Sequence, residues 1–293
     1  MPSTETISKQ FSELDLYPDQ QLIAALIEDQ ATAAAAVAAS QAALVAAVNA
    51  ALPRINAGGR LIYVGAGSSG RLGVLDGVEL SPTFSWPTSR AIGVMAGGRD
   101  AMFVAVEGAE DDAAEGTRQL QQLQLTANDV VLLLAASGST PFVLGALQAA
   151  HLAGALTLGF ANNRDSALLA QAEIAILLDT GAEILAGSTR LKAGTAQKIA
   201  LNTLSTALMI RLNKVYGNLM VDVKPANAKL RQRCLNLVLQ LCGCTTEHAR
   251  DLLQQADFQV KTATVMYHKH LDACAARALL QEHGGSLRAV LRT

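Results

Sequence analysis

Charged and aromatic residues are scarce in this chain of 293 residues. Asp, Glu, Lys and Arg make up 16% of it, Phe, Trp and Tyr only 4%, and the formal net charge is −2. A nearly neutral chain with few cations offers no broad basic surface, so neither nucleic acid nor an anionic membrane surface is an expected partner. Any site for an anion has to be local.

Long apolar runs and paired cysteines are also missing. No segment holds the ~18 uninterrupted apolar residues of a membrane span, and the first residues show no basic, apolar leader with a cleavage site. We therefore expect a cytoplasmic protein that does not enter the membrane. The four cysteines include no C-x-x-C pair, so buried, reduced thiols on helices are favoured over a zinc site at Cys242, Cys244 and His248, and no metal site is predicted.

What the chain does have is a hydroxyl-rich loop that occurs twice, each time after an apolar strand. The loop sequences are Gly-Ala-Gly-Ser-Ser-Gly at 65–70 and Ala-Ala-Ser-Gly-Ser-Thr-Pro at 135–141. Small residues let the backbone approach a ligand, hydroxyl groups donate hydrogen bonds, and the N-terminus of a following helix attracts negative charge. The pattern predicts a phosphate site. Its predicted ligands are the five hydroxyl side chains of Ser68, Ser69, Ser137, Ser139 and Thr140.

The loops belong to a segment, 61–180, in which strand and helix patterns alternate. The predicted strands are 61–64, 91–95, 130–135, 155–160 and 173–178. Continuous apolar strands alternating with helices are typical of a parallel sheet covered on both faces. Ligands of such a sheet bind at the carboxyl ends of the strands, where both loops lie.

The flanking segments read as helical. Residues 1–20 look like an arm that is ordered only by contact. Residues 21–52 predict one alanine-rich helix closed by Pro53 and by Gly58-Gly59, and Pro82 is predicted to end the helix that follows the first loop. The predicted domains are an N-terminal arm and helix (1–52), an α/β domain (53–222) and a C-terminal helical domain (223–293).

The first loop also satisfies the dinucleotide pattern G-x-G-x-x-G between a strand and a helix. A dinucleotide site needs an acidic residue about 20 positions further on to bind the ribose, and Arg90 stands there. The dinucleotide reading is therefore the weaker alternative, because two serines in the loop fit a single phosphate group better.

Six segments carry a more specific pattern. They are 65–73, 106–111, 136–142, 181–198, 217–222 and 283–285. Together they resemble the N-acetylmuramic acid 6-phosphate etherases, which have a sugar isomerase (SIS) fold. The 181–198 block is shared with the glucokinase regulatory protein and so marks the superfamily more than the reaction. Two departures are that Ser139 stands where the family usually has arginine, and that the N-terminal arm matches poorly.

The resemblance implies an α/β three-layer sandwich of the SIS type, with a five-stranded parallel sheet and a small C-terminal helical domain. It also implies a lyase that cleaves the D-lactyl ether of N-acetylmuramic acid 6-phosphate by elimination and then hydration. By the motif match, Glu110 removes the proton on carbon 2 and Glu79 protonates the departing lactate oxygen. No metal or organic cofactor is implied, because the aldehyde of the opened sugar acidifies that proton. The implied partners are a small sugar phosphate and a second copy of the chain in a homodimer.

Alternatives remain at several positions. Gly67, Arg190 and Lys192 are possible substrate-binding residues, although Lys192 could instead pair with Glu183. Without the resemblance, Glu110 would read as part of a solvated acidic turn. A non-catalytic sugar-phosphate-binding regulator would need the loops but not both glutamates, and an aldose–ketose isomerase would release no lactate. Glycosidic hydrolysis fits poorly, since the bond is an ether.

Overall fold

The computed structural model describes residues 3–293, and its centre is a five-stranded parallel sheet. The strands are β1 (Leu61–Gly65), β2 (Ala91–Met95), β3 (Val130–Leu134), β4 (Leu156–Ala161) and β5 (Ile174–Leu177). Their order across the sheet is β2-β1-β3-β4-β5, which confirms the predicted parallel sheet and all five predicted strands. Gly65 lies opposite Leu134 in the register of β1 and β3. The two hydroxyl-rich loops therefore leave the sheet side by side.

The central strands are apolar throughout because helices cover the sheet. Every residue of β1 and β3 is buried. On one face, Ile62 and Val131 belong to a core cluster with Phe142 of the helix that follows β3. On the other face, the Tyr63 ring packs so closely on the helix after β1 that a Cβ at Gly77 would lie 3.1 Å from it.

The helices differ in length along the chain. They are α1 (Asp19–Ala39), α2 (Gln41–Asn56), α3 (Gly67–Phe84), α4 (Ala113–Gln122), α5 (Pro141–Leu152), α6 (Ala167–Gln171), α7 (Lys192–Arg211), α8 (Ala228–Cys242), α9 (Thr246–Gln255), α10 (Val260–Lys269), α11 (Ala273–Glu282) and α12 (Leu287–Arg292). Within residues 3–293, α1 alone is long and apolar enough by length and composition to cross a membrane. That is weak evidence, since buried core helices pass the same test.

The prediction of one helix over 21–52 closed by Pro53 is wrong, whereas Gly58 and Gly59 do follow the end of the second helix at Asn56. The helix breaks at Ser40, and Pro53 lies inside α2. The Ser40 hydroxyl donates to the carbonyl of Ala36 and also to the carbonyl of Leu177 at the end of β5. A serine that bonds the backbone in this way competes with the helical ladder, so the chain turns there.

Helix α3 likewise continues past Pro82, where the sequence predicts its end. Pro82 lies in the last turn, and its carbonyl accepts a hydrogen bond from Lys224 N at 3.1 Å. Proline fits helical φ but has no N–H group, so α3 lacks the hydrogen bond to the carbonyl of Val78, four residues before it. The helix ends two residues later, and Ser85 then takes a φ of +49°.

The chain divides into two compact units. The first contains residues up to Gly77 together with Ser89–Ser205, and the second contains Val78–Thr88 together with Thr206–Thr293. The first holds the sheet, and the second holds α8 to α12. The division into 1–52, 53–222 and 223–293 remains a prediction.

The prediction of buried helical thiols holds for Cys234 and Cys242 on α8, where burial raises the pKa of both thiols. It is wrong for Cys244, which is half-buried in a loop, and for Cys274, which is exposed on α11.

Candidate functional site

A cavity of about 420 Å³ lies at the carboxyl ends of β1 and β3. It is lined by both hydroxyl-rich loops, by an acidic turn and by two further segments. Its polar side chains are those of Glu5, Ser68, Ser69, Glu110, Asp111, Ser137, Ser139, Thr140 and Thr189, and Gly67 also lines it. The five predicted hydroxyl residues, predicted Gly67 and predicted Glu110 thus line one cavity.

The first loop brings the start of α3 to the cavity. Gly67 begins the helix with a φ of +51°, and Ser68 and Ser69 occupy its first turn. The chain returns so tightly that a Cβ on Gly70 would lie 2.7 Å from the carbonyl oxygen of Gly65. The first N–H groups of a helix have no partner within it, so this end of α3 can donate to an anion.

The second loop brings the start of α5 to the same cavity. Thr140 is the N-cap residue, yet its side chain accepts no cap hydrogen bond. Its hydroxyl lies 3.5 Å from the Ser137 hydroxyl, which accepts a hydrogen bond from Ser139 N at 3.2 Å. Gly138 permits the turn, because it has a φ of +68° and a Cβ there would lie 2.3 Å from Ser166. A second helix N-terminus therefore begins at the same cavity.

Glu110 lies in a short 3₁₀ turn, Ala109–Asp111, that follows Gly108 at a φ of +73°. Its carboxylate is exposed and has no ion pair or hydrogen-bond partner within residues 3–293. The next helix, α4, is capped by Asp112, whose side chain accepts from Glu115 N at 2.9 Å. Glu110 therefore lies in the same cavity as the hydroxyl groups, and its carboxylate is unpaired.

The charge of the cavity is one-sided. Glu5, Glu110 and Asp111 contribute carboxylates, and none of the lining residues that the structure describes is Lys, Arg or His. Hydroxyl groups and helix N-termini are thus the donors that the lining offers to an anion. They are neutral groups, so the negative side chains next to them stay uncompensated.

Comparison with known proteins decides the family. A protein of Deinococcus radiodurans named N-acetylmuramic acid 6-phosphate etherase is 54% identical over 98% of this chain and 94% of its own length. The chain belongs to the N-acetylmuramic acid 6-phosphate etherase family. A relative of the same name from Cutibacterium acnes is 46% identical over 98% of this chain and 95% of its own.

A domain family and a solved structure are also similar to this chain. The family described as the glucokinase regulatory protein N-terminal SIS domain matches residues 43–151. The structure of phosphoheptose isomerase from Neisseria gonorrhoeae has a TM-score of 0.48 and 17% identity, covering 64% of this chain and 97% of its own. The two etherase relatives, at 54% and 46% identity, confirm the predicted family.

Three residues predicted from the etherase resemblance do not line the cavity. Glu79 is exposed on α3 and belongs to the second unit. Arg190 is exposed between β5 and α7, one residue after Thr189. Lys192 is buried at the start of α7, and its ammonium donates to Asp29 Oδ1 at 2.6 Å.

The alternative prediction, an ion pair between Lys192 and Glu183, is wrong. Glu183 accepts the backbone N–H of Lys192 at 3.2 Å and that of Ala193 at 2.9 Å, so it caps α7, while the ion pair is with Asp29. Burial raises the pKa of Glu183 against the opposing effect of those two N–H groups.

Sequence reasoning missed three polar lining residues of this etherase-family cavity, Glu5, Asp111 and Thr189. Asp111 lies next to Glu110 in the 106–111 segment. Thr189 lies within the 181–198 block, so a signal for it was present. Glu5 lies in an arm without periodicity, and no local pattern points to it.

Proposed function

We propose that this protein is an N-acetylmuramic acid 6-phosphate etherase, a lyase that releases D-lactate and leaves N-acetylglucosamine 6-phosphate. The observation that carries the proposal is the cavity in which five hydroxyl side chains meet Glu110. Identity of 54% to a protein of that name supports the same reaction.

The phosphate is held by the loops that precede α3 and α5. Ser68, Ser69, Ser137, Ser139 and Thr140 donate hydrogen bonds to it, as do the free N–H groups of both helices. Neutral donors at two helix ends suit a phosphate monoester, because they stabilise a dianion without requiring lysine or arginine in the lining.

The chemistry belongs to two carboxyl groups. Once the sugar ring has opened to its aldehyde, Glu110 takes the proton from carbon 2, and the electron pair forms a double bond to carbon 3 as the ether bond breaks. Glu79, which the motif match and not the cavity lining assigns to the reaction, gives its proton to the departing lactate oxygen. Water then adds across the double bond, with its hydroxyl on carbon 3 and its proton on carbon 2, which restores the sugar and the protonation state of the pair.

The first test is release of D-lactate from N-acetylmuramic acid 6-phosphate by the purified protein. Glu110→Gln and Glu79→Gln should each lower kcat by about 100-fold or more, because each removes a proton-transfer group. Glu107→Gln is the matched control, an exposed acid three residues before Glu110, and should retain activity.

Two results would contradict this function. Binding of the sugar phosphate without turnover would support a regulator, and interconversion of aldose and ketose phosphates without lactate would support an isomerase. Full activity in either Gln variant would remove that residue from the mechanism.

The protein is further proposed to act in the cytoplasm as a homodimer. An exposed apolar stripe on α1 supports the dimer, since its residues recur at helical spacing along one face. The stripe consists of Ile23, Ile27, Ala31, Ala34 and Ala38.

A further inference from the structure

The start of the N-terminal arm is fastened to one buried side chain, that of Asn163. Ser3 Oγ donates to Asn163 Oδ1 at 2.9 Å, and Thr4 N donates to the same oxygen at 3.2 Å. In return, Asn163 Nδ2 donates to Thr4 Oγ1 at 2.9 Å. Thr4 is wholly buried and Asn163 nearly so.

Asn163 also holds the second hydroxyl-rich loop. Its Nδ2 group donates to the carbonyl of Ala136 at 3.1 Å and to that of Ser137 at 3.3 Å. One amide therefore links the arm to the loop that carries Ser137, Ser139 and Thr140. The position of the arm is set by the same group that shapes the proposed phosphate site.

Glu5 follows Thr4 directly and lines the cavity beside that loop. Its Oε2 atom lies 3.3 Å from the place that a Cβ on Gly187 would occupy, so a side chain at 187 would crowd the carboxylate. Within residues 3–293 the Glu5 carboxylate has no ion pair or hydrogen-bond partner, and it is exposed. It adds a third negative group to a lining that already holds Glu110 and Asp111 and has no cation.

Such a carboxylate disfavours an anionic substrate unless it binds another part of that substrate. An ionised carboxylate only accepts hydrogen bonds, and a sugar phosphate carries its donors on the sugar, as hydroxyl groups and an acetamido N–H. Hydrogen bonds to a charged acceptor are stronger than those between neutral groups. The geometry thus offers neutral donors for the phosphate and a charged acceptor for the sugar.

We infer that Glu5 is a specificity-determining residue, delivered by the N-terminal arm, whose carboxylate accepts hydrogen bonds from the sugar of the bound sugar phosphate. The inference rests on the proposed function for the identity of the sugar. Thr4 and Asn163 act as positioning residues, because they fix the arm that carries Glu5.

The test compares Glu5→Ala and Glu5→Gln with the wild-type enzyme. Loss of a charge-assisted hydrogen bond should raise KM for N-acetylmuramic acid 6-phosphate roughly 10-fold or more in Glu5→Ala, and less in Glu5→Gln, whose amide oxygen still accepts. The kcat should stay within about twofold, because Glu5 binds the sugar equally in the ground and transition states. Thr4→Val, which removes the hydroxyl that Asn163 bonds, should raise KM in the same direction.

Inhibition constants separate the sugar from the phosphate. Glu5→Ala should weaken inhibition by N-acetylglucosamine 6-phosphate and leave inhibition by inorganic phosphate unchanged, since inorganic phosphate has no sugar hydroxyl. Glu13→Gln, an exposed glutamate of the same arm, is the matched control and should behave as wild type.

An unchanged or lower KM in Glu5→Ala would overturn the inference, because the carboxylate would then only repel anions. Equal weakening of both inhibitors would also overturn it, by assigning the effect to the phosphate loop. If the wild type released no lactate, the proposed function alone would fail. The role of Glu5 would still be decided by calorimetry, which compares how the wild type and Glu5→Ala bind N-acetylglucosamine 6-phosphate and inorganic phosphate.

Discussion

Asp129 is a buried carboxylate just before β3, and it binds Arg60, the residue just before β1. It accepts hydrogen bonds from Arg60 Nη2 at 2.7 Å, from Arg60 Nε and Arg60 N at 3.0 Å each, and from Thr126 N at 2.8 Å. Burial by itself raises the pKa of this carboxyl, but the Arg60 guanidinium and the two N–H groups outweigh it and lower the pKa overall. The folded protein therefore favours the ionised form more than the unfolded chain does.

The stability that Asp129 contributes should consequently depend on pH. Its folded pKa lies below its unfolded value, so the contribution is complete above about pH 4 and is lost as the pH falls through the folded pKa. Asp129→Asn should lower the free energy of unfolding by about 2 kcal/mol at pH 7, and the difference from wild type should shrink in acid. Urea unfolding of the wild type and of Asp129→Asn, at pH 7 and in acid, measures the difference in the free energy of unfolding.

Asp179→Asn is the control for that experiment, because Asp179 forms an exposed pair with Arg164 at 3.6 Å. Exposed pairs contribute little, so this variant should unfold like the wild type at both pH values. A pH-independent loss in Asp129→Asn would contradict the account.

The residues of the site were predictable where a local pattern carried them. The five hydroxyl groups follow apolar strands directly, and Glu110 lies in the 106–111 segment, which resembles the etherase family. Glu5 could not be predicted in this way, because its place depends on hydrogen bonds between Thr4 and Asn163, which are 159 residues apart. The same holds for the pairing of Lys192 with Asp29, 163 residues away.

At the scale of elements, the close crossing of α4 and α5 positions the acidic turn. A Cβ on Gly116 would lie 2.0 Å from the carbonyl oxygen of Phe142, and one on Gly145 would lie 2.0 Å from that of Ala113. The Thr117 hydroxyl adds a hydrogen bond to Gly145 O at 3.0 Å. Since Glu110 comes just before α4, this contact sets its distance from the N-terminus of α5.

Gly116→Ala should therefore be destabilising, although glycine to alanine normally favours a helix. The added methyl group meets backbone atoms that cannot move aside alone, so we expect a loss of about 2 kcal/mol or more in the free energy of unfolding. Surviving folded protein should also show a lower kcat for lactate release, because Glu110 is displaced. Urea unfolding and the lactate assay measure the two effects.

Gln121→Ala is the comparison variant, since Gln121 is exposed on α4 and its loss should change stability by less than about 0.5 kcal/mol. A stability gain in Gly116→Ala, as helix propensity alone would give, would refute the close crossing.

The elements themselves were predictable to different degrees. The three central strands followed from the sequence because a parallel strand covered on both faces is apolar along its whole length, and the edge strands β2 and β5 are short apolar segments although they are only partly buried. The break at Ser40 did not, since it depends on a hydrogen bond to Leu177 in β5. The end of α3 was predicted at Pro82 from proline alone, whereas the helix continues for two more residues, and the Pro82 carbonyl accepts a hydrogen bond from Lys224 N.

At the scale of the whole molecule, α1 presents an unpaired apolar face. Ile23 is 55% exposed and Ile27 66% exposed, and Ala31, Ala34 and Ala38 continue the stripe at intervals of three or four residues. Residues at this spacing share one face of a helix. Small residues along such a face allow a second helix to approach closely, so the face suits the same stripe on a second copy of the chain.

Sedimentation velocity tests this arrangement. The wild type should sediment as a species with twice the 30.6 kDa mass of one chain. Ile27→Glu should sediment as a monomer, because pairing of the two stripes would bury one glutamate charge from each subunit. Leu152→Glu is the matched control, since Leu152 is 85% exposed at the end of α5, and it should remain dimeric. A monomeric wild type would exclude the homodimer, and a dimeric Ile27→Glu would place the dimer contact on another surface.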